Sequence, residues 1–211
     1  MRTDTLIEML SRDAGPVPRA LAARRLAPAA LAGLLASATI AVAILGALPA
    51  TMFASHVPWS KVAYAGALAL ASGWLAARLS RPAAPVERPR GATIAVMLAM
   101  AAVGAMTLWA EPPETRFAIL LGGSWSTCPW SVLALSLPAL AATLHAMRGL
   151  APTRPRAAGA AAGLLAGSIG AIGYALHCPE AALAFVAAWY TAGIALAGAL
   201  GAALGPLVLR W

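Results

Sequence analysis

Residues 28–49 read PAALAGLLASATIAVAILGALP and contain no charged side chain. Five more apolar stretches of similar length follow. About 20 such residues form a helix long enough to cross the hydrocarbon core of a bilayer. The sequence therefore predicts six transmembrane helices, at about residues 28–49, 60–79, 91–110, 127–147, 157–177 and 181–209.

The basic residues alternate between the gaps that separate these stretches. The chain has 15 Lys and Arg, and 13 of them lie before the first stretch, after the second, after the fourth or at the C-terminus. Only Lys61 and Arg116 lie in the other gaps. Because basic loops next to membrane spans stay in the cytoplasm, both termini are expected inside. The predicted fold is an all-α integral membrane protein, a six-helix bundle with cytoplasmic termini.

Composition excludes several other classes of protein. Hydrophobic residues make up 61% of the chain and charged residues 10%, too few to cover the surface of a soluble domain of this length. The arginines are spread over short loops, so no direct nucleic-acid partner is expected. No predicted span has an acidic or basic residue deep inside it, which disfavours a transporter or pump. The sequence has no recognisable catalytic motif, so neither an enzymatic activity nor a cofactor is predicted.

The first 27 residues form a separate cytoplasmic segment ahead of the transmembrane domain, residues 28–211. The segment Thr5-Leu6-Ile7-Glu8 fits a capping box at a helix start. At helical spacing, Leu6, Ile7 and Leu10 share one face and Asp4 and Glu8 the other. An amphipathic helix on a tether lies on lipid or docks in the groove of a partner protein, and the mixed charge of the polar face favours the partner. A basic linker that begins after Pro16 and Pro18 then leads into the membrane.

Two helices carry small residues at four-residue spacing. Gly159, Gly163 and Gly167 mark one face of the fifth span, and Ala197, Gly201 and Gly205 mark one face of the sixth. Such stripes let helix backbones approach closely in lipid. We expect them to pack within one bundle rather than between two copies of the chain.

The two cysteines lie at span ends that the topology places outside the cytoplasm. Cys128 begins the fourth span, and Cys178 follows the fifth in the turn His177-Cys-Pro-Glu180. The oxidising compartment permits a static disulfide or a reversible thiol pair. A third interpretation is a soft-metal site, in which His177 or Glu180 assists the two thiolates; Glu111 and His56 are further candidates. The sequence leaves these three interpretations of the two cysteines open.

Several segments together resemble the NrsF family of membrane anti-sigma factors. They are the opening RTDTLIEML of residues 2–10 with DAGPV of residues 13–17, the two separated cysteines and the turn at residues 177–180, FVAAWY of residues 185–190, and LGPLVLRW of residues 204–211. The resemblance covers the whole chain. It implies a multi-pass protein of the bacterial inner membrane that sequesters an extracytoplasmic-function sigma factor and releases it on envelope stress, with Cys128 and Cys178 taking part.

Combined with the residue patterns, the resemblance predicts the sites. Sigma binding is expected from the N-terminal helix through Asp4, Leu6, Ile7, Glu8 and Leu10, and sensing from the two cysteines. Membrane lipid is the other expected partner, and the oligomeric state is left open. Two alternatives remain: a membrane thiol-disulfide oxidoreductase that cycles the same cysteines, and an accessory transport subunit. The oxidoreductase hypothesis is weaker than the anti-sigma-factor hypothesis because the chain has no second cysteine pair to pass electrons onward.

Overall fold

The computed structural model describes residues 3–12, 20–82, 84–150 and 152–210. These residues form helices and no strand. The helices are α1 (Thr3–Arg12), α2 (Leu21–Leu45), α3 (Val57–Leu79), α4 (Glu87–Ala110), α5 (Pro113–Leu121), α6 (Cys128–Arg148), α7 (Pro155–Ala175) and α8 (Leu183–Val208). The last turn of α2, Ala41–Leu45, is π-helical, and so is the turn Val186–Tyr190 inside α8.

Six of these helices are long and apolar enough to cross a membrane: α2, α3, α4, α6, α7 and α8. This confirms that the chain forms six long apolar helices, as predicted from the sequence. Helix α2 begins at Leu21, ahead of the residue at which the first span is predicted to start, and Pro28 lies inside the helix. The exposed side chains of Arg24 and Arg25 extend from its first turns. Long basic side chains can reach water with their charged ends while their stems lie along apolar surface. A helix can therefore contain arginines beyond the end of its apolar stretch.

Helix α7 forms the centre of the bundle and packs against α2, α3, α6 and α8. In its most apolar window 78% of the residues are buried, against 11% in α4. Helix α4 lies at the periphery, where it contacts α3 and the first turns of α8. The large side chains exposed on the outside of the bundle are apolar, among them Leu35, Leu70 and Leu98. An apolar exterior of this kind suits contact with lipid.

The glycine stripes of α7 and α8 face each other, which confirms that they pack within one bundle. A Cβ on Gly159 or Gly201 would collide with the carbonyl oxygen of the other residue. A Cβ on Gly163 would collide with the carbonyl oxygen of Ala197. The absence of side chains at these positions therefore brings the two backbones into direct contact.

Loops and helix ends gather at two ends of the bundle, and their chemistry differs. At one end Arg25 lies against Gly149, and the Arg148 Nε donates a hydrogen bond to the Val208 carbonyl at 3.2 Å. A cleft of about 240 Å³ at this basic end is lined by Arg78, Arg81 and Arg154, together with Glu87, Thr153 and apolar residues. The opposite end carries both cysteines, Lys61 and Arg116, and we call it the cysteine end.

Helix α1 begins at Thr3, so Thr5 lies in its first turn and not at the N-cap position that the capping box requires. Ile7 and Met9 are exposed by 59% and 50%. In the described part of the chain α1 has no extensive packing against the bundle. The prediction that Pro16 and Pro18 follow the helix end concerns residues outside the described ranges.

Candidate functional site

The structure brings Cys128 and Cys178 into one enclosed site at the cysteine end. Cys128 is the first residue of α6, and its amide donates to the Ser124 carbonyl at 2.9 Å. Cys178 closes the turn after α7, with its amide donating to the Tyr174 carbonyl at 3.0 Å. Both side chains are fully buried free thiols in the same apolar cluster, and they lie within electrostatic range of each other. The sequence predicted only that both cysteines lie at helix ends on the same side of the bundle. The structure adds that their side chains are close to each other.

Glu180 ties the Cys178 turn to the segment that precedes Cys128. Its Oε1 accepts a hydrogen bond from the Gly123 amide at 2.8 Å and another from the Ser124 hydroxyl at 3.2 Å. Gly122 has a φ of 57°, and a Cβ there would lie 2.8 Å from the Phe185 ring. Glycine is required at this point because an L side chain would be strained and would also meet the Glu180 carboxylate. The result is a hydrogen-bonded connection between the two cysteine segments.

His177 anchors the other side of the turn. Its Nδ1 lies 3.0 Å from the Gly46 carbonyl, and the Leu48 amide donates to the Leu176 carbonyl at 2.9 Å. These contacts join the end of α7 to the chain that leaves α2. His177 thus holds the turn by a backbone contact, and Glu180 is likewise occupied by backbone and hydroxyl donors.

The metal interpretation gains no support from this arrangement. Among the described residues, no three His, Cys, Asp or Glu side chains come close enough together to hold a metal ion. His56 and Glu111, the further candidate ligands, are exposed.

Lys61 is the site residue that the sequence interpretation missed. Its side chain is fully buried in the second turn of α3. The Lys61 Nζ donates a hydrogen bond to the Cys178 carbonyl at 2.6 Å. The sequence did contain a signal: Lys61 is one of the two cations that depart from the basic-loop pattern.

Two tyrosines complete the site. Tyr190, fully buried, belongs to the π-helical turn of α8, and its ring lies 5.7 Å from Tyr174 and 6.0 Å from the Lys61 Nζ. Its hydroxyl is within interaction range of Cys178 but forms no hydrogen bond of acceptable geometry. A π-helical turn shifts the side chains that follow it, and such turns are frequent at functional sites. Next to Tyr190, the Trp189 Nε1 donates to the Leu120 carbonyl at 2.8 Å.

The predicted sigma-binding residues all fall in α1, which lies next to the start of α2 in the chain. Asp4, Ile7 and Glu8 are exposed. The helix is amphipathic, and the exposed Ile7 leaves part of its apolar surface without cover from the bundle. An exposed amphipathic helix can bind in the groove of a partner protein or lie on lipid.

Comparison with known proteins identifies a family of transcription regulators. The model of the NrsF family, described as negative regulator of sigma F, matches residues 10–211. The chain is 40% identical to a probable anti-sigma-F factor NrsF of Azospira oryzae and 40% identical to the anti-sigma-F factor NrsF of Caulobacter vibrioides. Both alignments cover the whole of each protein. No solved structure matches the chain.

This chain therefore belongs to the NrsF family. The match confirms the resemblance drawn from its motifs. The names of the two relatives denote regulation of a sigma factor rather than catalysis.

Proposed function

We propose that this protein, an anti-sigma factor by family, is a multi-pass protein of the bacterial inner membrane that binds an extracytoplasmic-function sigma factor through α1. In this proposal the sigma factor is released when Cys128 and Cys178 are modified outside the cytoplasm. The observation that carries the proposal is the pairing of an exposed amphipathic helix with two enclosed free thiols on one helical bundle. One region is fitted to hold a protein and the other to respond to a chemical signal.

The distribution of charge supports the orientation. The basic end combines arginines from α2, α3, α6 and the loops, whereas the cysteine end has only Lys61 and Arg116 among its described cations. Under the positive-inside rule the basic end faces the cytoplasm. Helix α1 then lies on the side where sigma factors and RNA polymerase are found. The thiols lie on the side where disulfides form.

The apolar face of α1 supports binding of a folded partner. Leu6, Ile7 and Leu10 follow the spacing of anchors that insert into a hydrophobic groove, and Asp4 and Glu8 lie at the rim. Burying one such apolar side chain contributes about 1.5–3 kcal/mol. The basic cleft between Arg78, Arg81 and Arg154 offers a second contact for an acidic surface of the same sigma factor.

The first experiment isolates the protein from detergent-solubilised membranes and identifies the sigma factor that accompanies it. A Leu6→Ser/Leu10→Ser variant removes two anchors and should reduce capture by at least about a hundredfold, since about 3 kcal/mol or more of apolar burial is lost. Thr5→Ala changes the opposite face and serves as the matched control. Wild-type capture by the double variant, with normal amounts of protein in the membrane, would place the docking surface elsewhere.

The second experiment tests the sensing role of the cysteines. Cys128→Ser, Cys178→Ser and the double variant are compared for protein abundance and sigma-dependent transcription, with and without an oxidant or a thiol-binding metal. A reversible pair predicts normal abundance and loss of the response in all three variants. A static staple predicts lowered abundance without a stimulus-specific defect. A normal response in the double variant would remove both cysteines from the mechanism.

A further inference from the structure

The environment of Lys61 is unusual for a buried cation. Its Nζ has one hydrogen bond, to the Cys178 carbonyl at 2.6 Å, although an ammonium group has three donors. No carboxylate of the described residues lies within ion-pair distance of it. The nearest carboxylate within electrostatic range is that of Glu180, which already accepts from Gly123 and Ser124. Lys61 is therefore buried without a conventional counter-ion.

The groups left to balance this charge are the two thiols. The Lys61 Nζ lies against the Cys178 carbonyl, and the side chains of Cys178 and Cys128 are both within electrostatic range of it. Burying a charge without a partner is costly, and a nearby cation favours the ionised form of an acidic group.

We propose that Lys61 is the positioning residue that activates this cysteine pair. Its ammonium group holds the Cys178 turn in place and favours negative charge on the Cys178 sulfur. A fully buried thiol in apolar surroundings is chemically inert, whereas a neighbouring cation favours the thiolate, which is the nucleophile. This inference rests on the proposed sensing function and supplies its chemistry: Lys61 makes an enclosed cysteine reactive toward oxidants and other electrophiles.

The test uses two methanethiosulfonate reagents of similar size, one carrying a sulfonate and one a trimethylammonium group. In both reactions the thiolate attacks the reagent's sulfur, a new S–S bond forms, and methanesulfinate leaves. The protein is the full chain in detergent micelles with Cys128→Ala, so that Cys178 is the thiol measured. Opening of the turn affects both reagents equally, and the ratio of the two rates therefore reports the local charge.

The protein with Lys61 intact should react faster with the anionic reagent relative to the cationic one than 2-mercaptoethanol does. 2-Mercaptoethanol is a free thiol without a neighbouring cation. Lys61→Met should lower the overall rate by about tenfold, because loss of a neighbouring cation lowers the fraction of thiolate. It should also lower the ratio of the anionic to the cationic rate, because the charge that attracts the sulfonate reagent is lost. Lys61→Arg should retain most of the effect. Arg116→Met is the matched control, since Arg116 lies at the same end but donates to the carbonyls of Trp109 and Glu111.

A Lys61→Met protein with the wild-type ratio and rate would overturn the proposal. Equal losses in Lys61→Met and Lys61→Arg would also overturn it, because they would assign Lys61 a packing role alone. If Lys61→Met does not fold, the proposal is tested by comparing the rate ratio of the wild-type protein with that of 2-mercaptoethanol. An absence of preference for the anionic reagent refutes the proposal. Failure of the proposed sensing function can be told apart from failure of this inference. In the first case the cysteine variants respond normally to the oxidant, while the rate ratio still depends on Lys61.

Discussion

Gly201 of α8 is the position where the packing of the bundle can be tested most directly. A Cβ built on Gly201 would collide with the Gly159 carbonyl oxygen and would lie 2.9 Å from the Gly163 Cα and 3.0 Å from its N. All three atoms are backbone, so no flexible side chain can move aside. The Gly201→Ala substitution therefore forces α7 and α8 apart.

The cost follows from the geometry. Overpacking of a tight interior by one methyl group typically costs about 1–3 kcal/mol. Alanine offsets part of this, because it favours a helix over glycine by about 1 kcal/mol in water. In lipid, close van der Waals contact replaces the hydrophobic drive between helices, so separation of the backbones forfeits the main source of association. We expect a net loss of about 1–2 kcal/mol, which increases the unfolded fraction roughly 5–30-fold.

The assay is equilibrium unfolding in one detergent, with wild type, Gly201→Ala and Gly66→Ala compared in parallel. Gly66 lies in α3, and a Cβ there has nothing within 4 Å. The same substitution at Gly66 should leave stability unchanged or raise it, since it adds helix propensity without a collision. If Gly201→Ala is as stable as Gly66→Ala, the contact between the two glycine stripes is not what holds α7 against α8.

Three other predictions test orientation and individual contacts. Reporter fusions after Arg154 should read cytoplasmic and those at Glu114 periplasmic; a periplasmic signal from Arg154 would contradict the six-span topology. Glu180→Ala should raise hydrogen exchange of the amides just before α6 by about fivefold, since it removes a hydrogen-bond acceptor worth about 1 kcal/mol; unchanged exchange would show that the carboxylate does not restrain them. The Tyr64 hydroxyl lies 2.6 Å from that of Thr191, so Tyr64→Phe should lower the free energy of unfolding by about 1 kcal/mol, and an unchanged denaturation midpoint would show that this hydrogen bond adds nothing.

The sequence by itself determined the features that depend on local pattern. Runs of apolar residues about as long as a bilayer is thick marked six helices, because an isolated helix in lipid must satisfy its own backbone. The four-residue spacing of Gly159, Gly163 and Gly167 identified a packing face, since residues four apart lie on one side of a helix. The arginine pattern separated the two ends of the bundle.

Only the tertiary structure decided which distant residues meet. Lys61 and Cys178 are 117 positions apart, and their hydrogen bond exists because α3 packs against α7. No periodicity in the chain specifies that neighbour relation. For the same reason the sequence indicated only that Lys61 lies outside the basic gaps, whereas in the fold it is a buried cation close to two thiols. Helical periodicity is a property of one segment, but a site built from several segments depends on the order in which the helices pack.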